Sequence, residues 1–453
     1  MVSRHWFLKL CSISSAVGIV LFVWVHPAAA QLSPLFAECA NVRANPRAAI
    51  EACSRIIESG QVSSRNLMLS YVNRGTAWGL TGDSDRAIHD LDEAIRIDPD
   101  FAQAYNNRGL AFARRGELER GIADYDRAIH LTPGYQVAYV NRGNAFGRQC
   151  GFDHAMADFE RAIQLDSGYA PAYVGRSATY LNTGDVNRAL ADASTAIQHD
   201  SGSALAYVAR SFALLRMSDV ERALADAERA IAIDPKLAGA YNARGAVYGI
   251  RNEPERAIAE FDRAINLDQR LAPAYANRGI ALKLKGDLDG AIADYSRAIQ
   301  LSPKCAGPYY NNRANAYVLK GELRRGLNDA DTAVKLRPTM AAAFATRGSI
   351  QRKLGENELA IRDLTEAIRL DPSLPDAFTE RALAYESKGR IEQALVDFKA
   401  ALGLPLKNPA ATWAHDTARQ RLTAIAALRS LPAPNPPTDD LSDLLADILK
   451  RTQ

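Results

Sequence analysis

The stretch "AYNNRGLAFARRGELERGIADYDRAI", Ala104 to Ile129, decides how this chain reads. Asn-Asn-Arg-Gly sits where the apolar spacing around it demands a helix, a Gly-Glu turn follows, and a second amphipathic run closes the unit. The same order returns with a period of 34 residues, its arginine standing at 74, 108, 142, 176, 210, 244 and 278, then at 313, 347 and 381. The single slip, 35 residues from Arg278 to Arg313, comes from one extra residue in the loop "SPKCAGP".

Each unit is expected to be a helix of about fourteen residues, a turn, and a second helix. The turns include Gly82-Asp83, Gly116-Glu117 and Gly286-Asp287, and prolines such as Pro99, Pro133 and Pro235 mark the exits. The residue after each arginine is Gly, Ser or Ala; twelve positions on stands Ala or Gly, and seven beyond that Ala in all ten copies. Neither helix can bury its apolar stripe alone, so successive hairpins must stack into an all-α solenoid.

Tyr105, Gly109, Phe112, Gly121, Tyr125, Ala128 and Pro133 are spaced as aromatic, glycine, alanine and proline are in a tetratricopeptide repeat, which the chain resembles over residues 68–408, with a degenerate half-repeat at 36–60. The resemblance implies a right-handed superhelix whose first helices line a concave groove, and a partner protein that lays an extended segment or helix in it. The family usually has leucine where this chain has its repeated arginine.

Sixteen residues after every arginine stands an acid: Asp90, Asp124, Asp158, Asp192, Asp226, Glu260, Asp294, Asp329, Asp363 and Asp397. Residues placed symmetrically about a turn are nearly level on an antiparallel hairpin, so Arg74–Asp90, Arg108–Asp124, Arg142–Asp158 and their copies are expected ion pairs. As exposed charges they would contribute only about 0–1 kcal/mol each.

The residue before the arginine is Asn73, Asn107 and Asn141, then Gly175, Ala209 and Ala243, then Asn277 and Asn312. This resembles the asparagine ladder in the repeat arm of the O-linked N-acetylglucosamine transferase, which implies that these amides hold the backbone of a bound peptide; an amide offers both a donor and an acceptor. The alternative is a helix-surface asparagine bonded to water or backbone. Arg114 and Arg148 would face the same groove and favour a carboxylate ligand. Between the two amide-rich walls, Val174, Leu181, Leu205, Val208, Phe212 and Leu215 are expected to form an apolar patch. Ala193 and Ala227 stand where most copies carry a large residue, so the interfaces there are expected to be weaker and more flexible.

The 453 residues are 47% hydrophobic and 24% charged, with a net charge of +3, which leaves no basic footprint for nucleic acid. His89, His130, His154, His199 and His415 fall at unrelated points of the repeat, and neither a phosphate-cradling loop nor a nucleophile elbow is present. The expected function is therefore a non-catalytic scaffold without cofactor or metal, binding other proteins or peptides. The alternative is a targeting or assembly subunit of a glycan, exopolysaccharide or export complex whose catalytic chain is separate.

Residues 1–30 have the make-up of a secretory leader: Arg4, His5 and Lys9, an apolar run from Leu10 to Val25, and small residues before a cleavage point near Ala30-Gln31. The run is somewhat short for ~30 Å of hydrocarbon, which favours cleavage over retention as an anchor. An exported, periplasmic or secreted chain permits disulfides. Cys39 and Cys53 flank the Asn45-Pro46 turn and are expected to staple an N-terminal hairpin within residues 31–67, whereas Cys150 and Cys305, more than four repeats apart, are expected to remain separate thiols. Beyond the ten repeats, residues 409–429 read as a capping helix, 430–440 as a proline-rich linker, and 441–453 as a short amphipathic helix bearing Leu441, Leu444, Leu445 and Ile448.

Overall fold

The structure is a computed structural model and describes residues 27–405 and 412–429. Most of the leader, the proline-rich linker and the terminal amphipathic segment lie outside the described residues. Within them the regular structure is helical throughout, and no helix there is long and apolar enough to cross a membrane. The chain divides between Thr132 and Pro133 into two compact units, each an α-solenoid of stacked antiparallel hairpins.

A representative hairpin pairs Ala102–Arg115 with Leu118–Leu131. Gly109 and Gly121 mark the crossing: a β-carbon on Gly109 would lie 2.8 Å from the Tyr125 ring, and one on Gly121 would lie 2.8 Å from the Gly109 carbonyl. Glycine after the arginine thus makes room for the large residue that follows the acid, in Gly143 with Phe159, Gly245 with Phe261 and Gly279 with Tyr295. Where that large residue is alanine the glycine is gone as well. Ser177 faces the helix of Ala193 and Ser211 that of Ala227, and each seryl hydroxyl donates 2.7 Å to a carbonyl of the second helix, at Ala189 and Ala223. Both serines are fully buried, so hydrogen bonds occupy the crossing where rings are lacking.

Each first helix ends at a residue in the left-handed region. Seven of the ten repeats place Gly there, at 82, 116, 184, 286, 321, 355 and 389, and the other three place Cys150, Ser218 and Asn252. For a residue with a β-carbon this conformation costs roughly 1–2 kcal/mol.

Ahead of the repeats, helices Pro27–Ala40 and Pro46–Ser59 form a hairpin whose second helix is capped by Asn45, the side chain accepting from the Ala48 amide. Cys39 and Cys53 are disulfide-bonded, their Cα atoms 4.9 Å apart, within a small core of Ala52, Ile56, Leu35 and Phe36. At the other end Trp413–Arg429 continues the stack, running parallel to Pro375–Ser387: the Thr379 hydroxyl donates to the Ala414 carbonyl, and Arg421 pairs with Glu386.

Within unit 2 the expectation for the remaining cysteines fails. Cys150 and Cys305 are bonded to each other across 155 residues, their Cα atoms 5.5 Å apart. Lys304 donates to the Gln149 side chain at 3.1 Å, and Arg337 donates to the Asn182 carbonyl at 2.7 Å, both again across 155 residues. The shared interval shows one solenoid turn returning onto the next. Curvature is the reason. First helices of successive repeats touch one another, most closely around Ala204–Arg216, and the inner positions there are the small residues Gly175, Ala209 and Ala243.

Candidate functional site

The repeated arginine fixes the wall that the first helices form. All ten arginines meet their acid at 2.6–2.8 Å. Nine pairs are bidentate, as Arg108 Nε and Nη2 to Asp124 show at 2.8 and 2.7 Å. Arg244 differs because its acid is the longer Glu260: one nitrogen serves both oxygens and the buried Nε has no partner.

A third nitrogen often reaches back to the second helix of the preceding hairpin, from Arg74 to Ser54, Arg108 to Asp92, Arg278 to Asp262, Arg313 to Ser296, Arg347 to Asp331 and Arg381 to Thr365. The arginine therefore joins two repeats, and its fork geometry is what leucine could not supply. The aspartates are 2–7% exposed, so these are not surface pairs. Hydrogen bonding to Asp124 and Asp294 holds Arg108 and Arg278 above the ordinary arginine range, against the opposing effect of burial.

On the wall itself the asparagines bond across repeats. Asn107 donates 2.9 Å to the Thr76 hydroxyl of the previous first helix and accepts from Asn106, and Asn277 donates 2.9 Å to Asn242. Asn73 lies against the Cys39 sulfur at 3.9 Å. Later repeats use other residues for the same link: Asn315 to Thr346, and Ser349 to Glu380, which Arg352 also grips. Asn141 stands half-buried on Gln136–Arg148, the first helix of unit 2. These links tie first helix to first helix, a role in the scaffold that spacing alone did not reveal.

Repeat eight is different. Asn312 is half-buried and makes no side-chain hydrogen bond, and the neighbouring Asn311 is 5% exposed with its side-chain carbonyl unpartnered. Near the ends of consecutive first helices Ile250, Leu284 and Leu319 form an exposed aliphatic row, 55–62% accessible. Beside it Lys283 is held below the ordinary lysine value by burial.

The expected central patch is not a surface. Val208 and Leu215 are 9% and 8% exposed, and Phe212 packs beside them in the clusters that hold Ala227, Ala243 and Val247. The gap in the asparagine series explains this. A β-carbon on Gly175 would sit 2.3 Å from the Phe159 ring, and Ala243 is fully buried, so no amide fits and the helices close over the aliphatic side chains. Of the four expected positions on Ala204–Arg216, Leu205 alone is exposed, at 54%. Arg114 donates to the Gly79 carbonyl of the preceding first helix, and Arg148 is exposed where its helix ends at the turn of Cys150. Among the described residues no group of His, Cys, Asp and Glu could hold a metal ion.

Family profiles described as tetratricopeptide repeat match residues 81–135, 272–305 and 375–408, and one described as TPR repeat matches 348–389. With ten copies of that hairpin, the chain is a multi-repeat tetratricopeptide-repeat protein, the class of scaffold through which proteins interact. The crystal structure of the APC/C hetero-tetramer Cut9–Hcn1 is similar at TM-score 0.54 and 14% identity, over 87% of this chain and 97% of that one. The human IFIT1 dimer with PPP-AAAA gives 0.48 and 14%, over 78% and 93%, and yeast Tom70 gives 0.41 and 15%, over 86% and 100%. The first of these supports the fold. No curated protein matches the chain by sequence.

Proposed function

We propose that this protein is a non-catalytic scaffold that binds an extended segment of a partner protein along the inner wall of repeats six to eight. The supporting observation is Asn312, half-buried on the first helix of repeat eight with its side-chain amide bonded to no neighbour. That amide offers both a donor and an acceptor to a peptide backbone without losing a bond within the scaffold. Ile250, Leu284 and Leu319 would take apolar side chains of the same segment. Amides upstream, at Asn73, Asn107 and Asn277, serve mainly to hold the wall. In the Cut9–Hcn1 tetramer a structurally similar chain assembles with another protein, which is the behaviour proposed here. The leader and the two disulfides support export to an oxidising compartment.

The test is site-specific photocrosslinking in the cell that makes the protein, with the probe at Leu284 or Asn312 and a control at Glu228 on a second helix. Crosslinks to defined peptide segments from the wall positions alone are expected; equal capture from Glu228 would refute the reading.

A further inference from the structure

We infer that Cys150–Cys305 is a thiol–disulfide exchange site: a reversible clasp on one turn of the unit 2 solenoid, opened by a dithiol of the oxidoreductase class and closed by the disulfide form of the same class. Each cysteine occupies a place where the repeat departs from its own rule. Cys150 takes the left-handed turn position that seven other copies give to glycine, and Cys305 lies in the 3-10 turn Pro303–Cys305, within the one loop that carries an extra residue. Two unrelated departures from a tenfold pattern meet at a single bond, across 155 residues.

Polar contacts beside the clasp are exposed ones. Beside it stand one hydrogen bond from Lys304 to Gln149, one from Arg337 to the Asn182 carbonyl, and Arg337 lying over the Phe152 ring at 5.9 Å. Exposed hydrogen bonds of this kind exchange readily with water, so the covalent link sets the closure.

The bond is also reachable. Both cysteines are half-buried, and a cavity of about 530 Å³ opens beside them, lined by Phe152, Asn182, Lys304, Arg337 and Met340. Cys39 and Cys53, by contrast, are 1% and 0% exposed. The cations Lys304 and Arg337 favour a departing thiolate. In the exchange a thiolate of the dithiol attacks one sulfur of the pair, the S–S bond breaks, and the other sulfur leaves as a thiolate that takes up a proton. The second thiol of the dithiol then displaces the first bond, leaving two thiols on this chain and a disulfide on the oxidised partner.

Opening frees the loop that leads into Gly307–Leu319, the helix bearing Asn311, Asn312 and Leu319. The clasp thus sets the geometry of the wall, whether or not that wall is the binding surface.

The full chain would be equilibrated in graded mixtures of reduced and oxidised dithiothreitol and alkylated. Mass spectrometry would read the thiols, small-angle scattering the radius of gyration, and hydrogen exchange the loop at 302–306. Cys150 and Cys305 are expected to open together at a reductant ratio at least roughly tenfold lower than Cys39 and Cys53, with a shift to a larger radius and faster loop exchange. Cys150→Gly, which installs the residue used by the other copies and so spares the turn, should give the same shift without reductant. If the two disulfides titrate together, or if neither reduction nor Cys150→Gly alters radius or exchange, the clasp is refuted.

Discussion

The two disulfides bind together the same kind of helical hairpin over very different spans. Cys39–Cys53 closes 14 residues and lies inside the small core of its own hairpin, whereas Cys150–Cys305 closes 155 and lies half-exposed where one solenoid turn meets the next. The first reinforces a local element whose geometry exists without it. The second depends on curvature accumulated over several repeats, so a small change in each inter-repeat contact would move its sulfurs apart. A local cross-link reports on sequence neighbours; a distant one reports on the sum of all the packing between.

That contrast can be broken most sharply at the seam. On the chain-entropy account a 155-residue loop is worth roughly 5 kcal/mol, and a glycine at the left-handed position returns about 1, so Cys150→Gly should destabilise unit 2 by about 4 kcal/mol. Denaturant melts followed by a probe in repeats four to seven would measure it. A loss under about 1 kcal/mol would mean that the seam adds nothing to stability.

Replacing an acid in the arginine series tests how far the seam protects what it encloses. Asp294→Ala lies within the closed turn and Asp363→Ala outside it, and each leaves its arginine only the second acid, Asp262 for Arg278 and Asp331 for Arg347, at a cost of about 2 kcal/mol. Hydrogen exchange should show opening spread further around Asp363 than around Asp294 in the oxidised protein, and alike in the reduced one. Losing the local staple, by Cys39→Ser with Cys53→Ser, should cost roughly 3 kcal/mol, with faster exchange confined to residues 34–59. Spread of that effect into unit 2 would contradict its local character.

Smaller effects are expected from single wall and crossing residues. Ser211→Ala removes a buried hydroxyl bonded to the Ala223 carbonyl and should lower stability by about 1 kcal/mol, read by thermal melting. Asn312→Ala, which breaks no side-chain hydrogen bond, should leave the melt within about 0.5 kcal/mol while reducing crosslinking to the partner. Asn107→Ala, which cuts the link to Thr76, should lower stability instead.

Much of this molecule is local and therefore legible in its sequence. The 34-residue period, the turn after each first helix and the acid sixteen residues beyond each arginine are contacts within one hairpin, and any stretch that folds as a hairpin must make them. The asparagine series shows where such reading runs out. Its position on the first helices was visible, but whether each amide meets a neighbour, as Asn107 meets Thr76, or stays unbonded, as Asn312 does, depends on the residue that the next hairpin presents. Val208 and Leu215 looked like a surface patch because their helix face was right; they are covered because Gly175, Ala209 and Ala243 let adjacent helices close over them.

The sequence by itself determined the hairpin, its tenfold repetition and its ion pairs, since each depends on residues fewer than one period apart. The tertiary structure decided the meeting of Cys150 with Cys305, the burial of the central aliphatic residues and the distinct state of Asn311 and Asn312. Those follow from the angle between successive hairpins, a quantity set by side-chain volumes at every interface and summed over the turn, which no single period of the sequence contains.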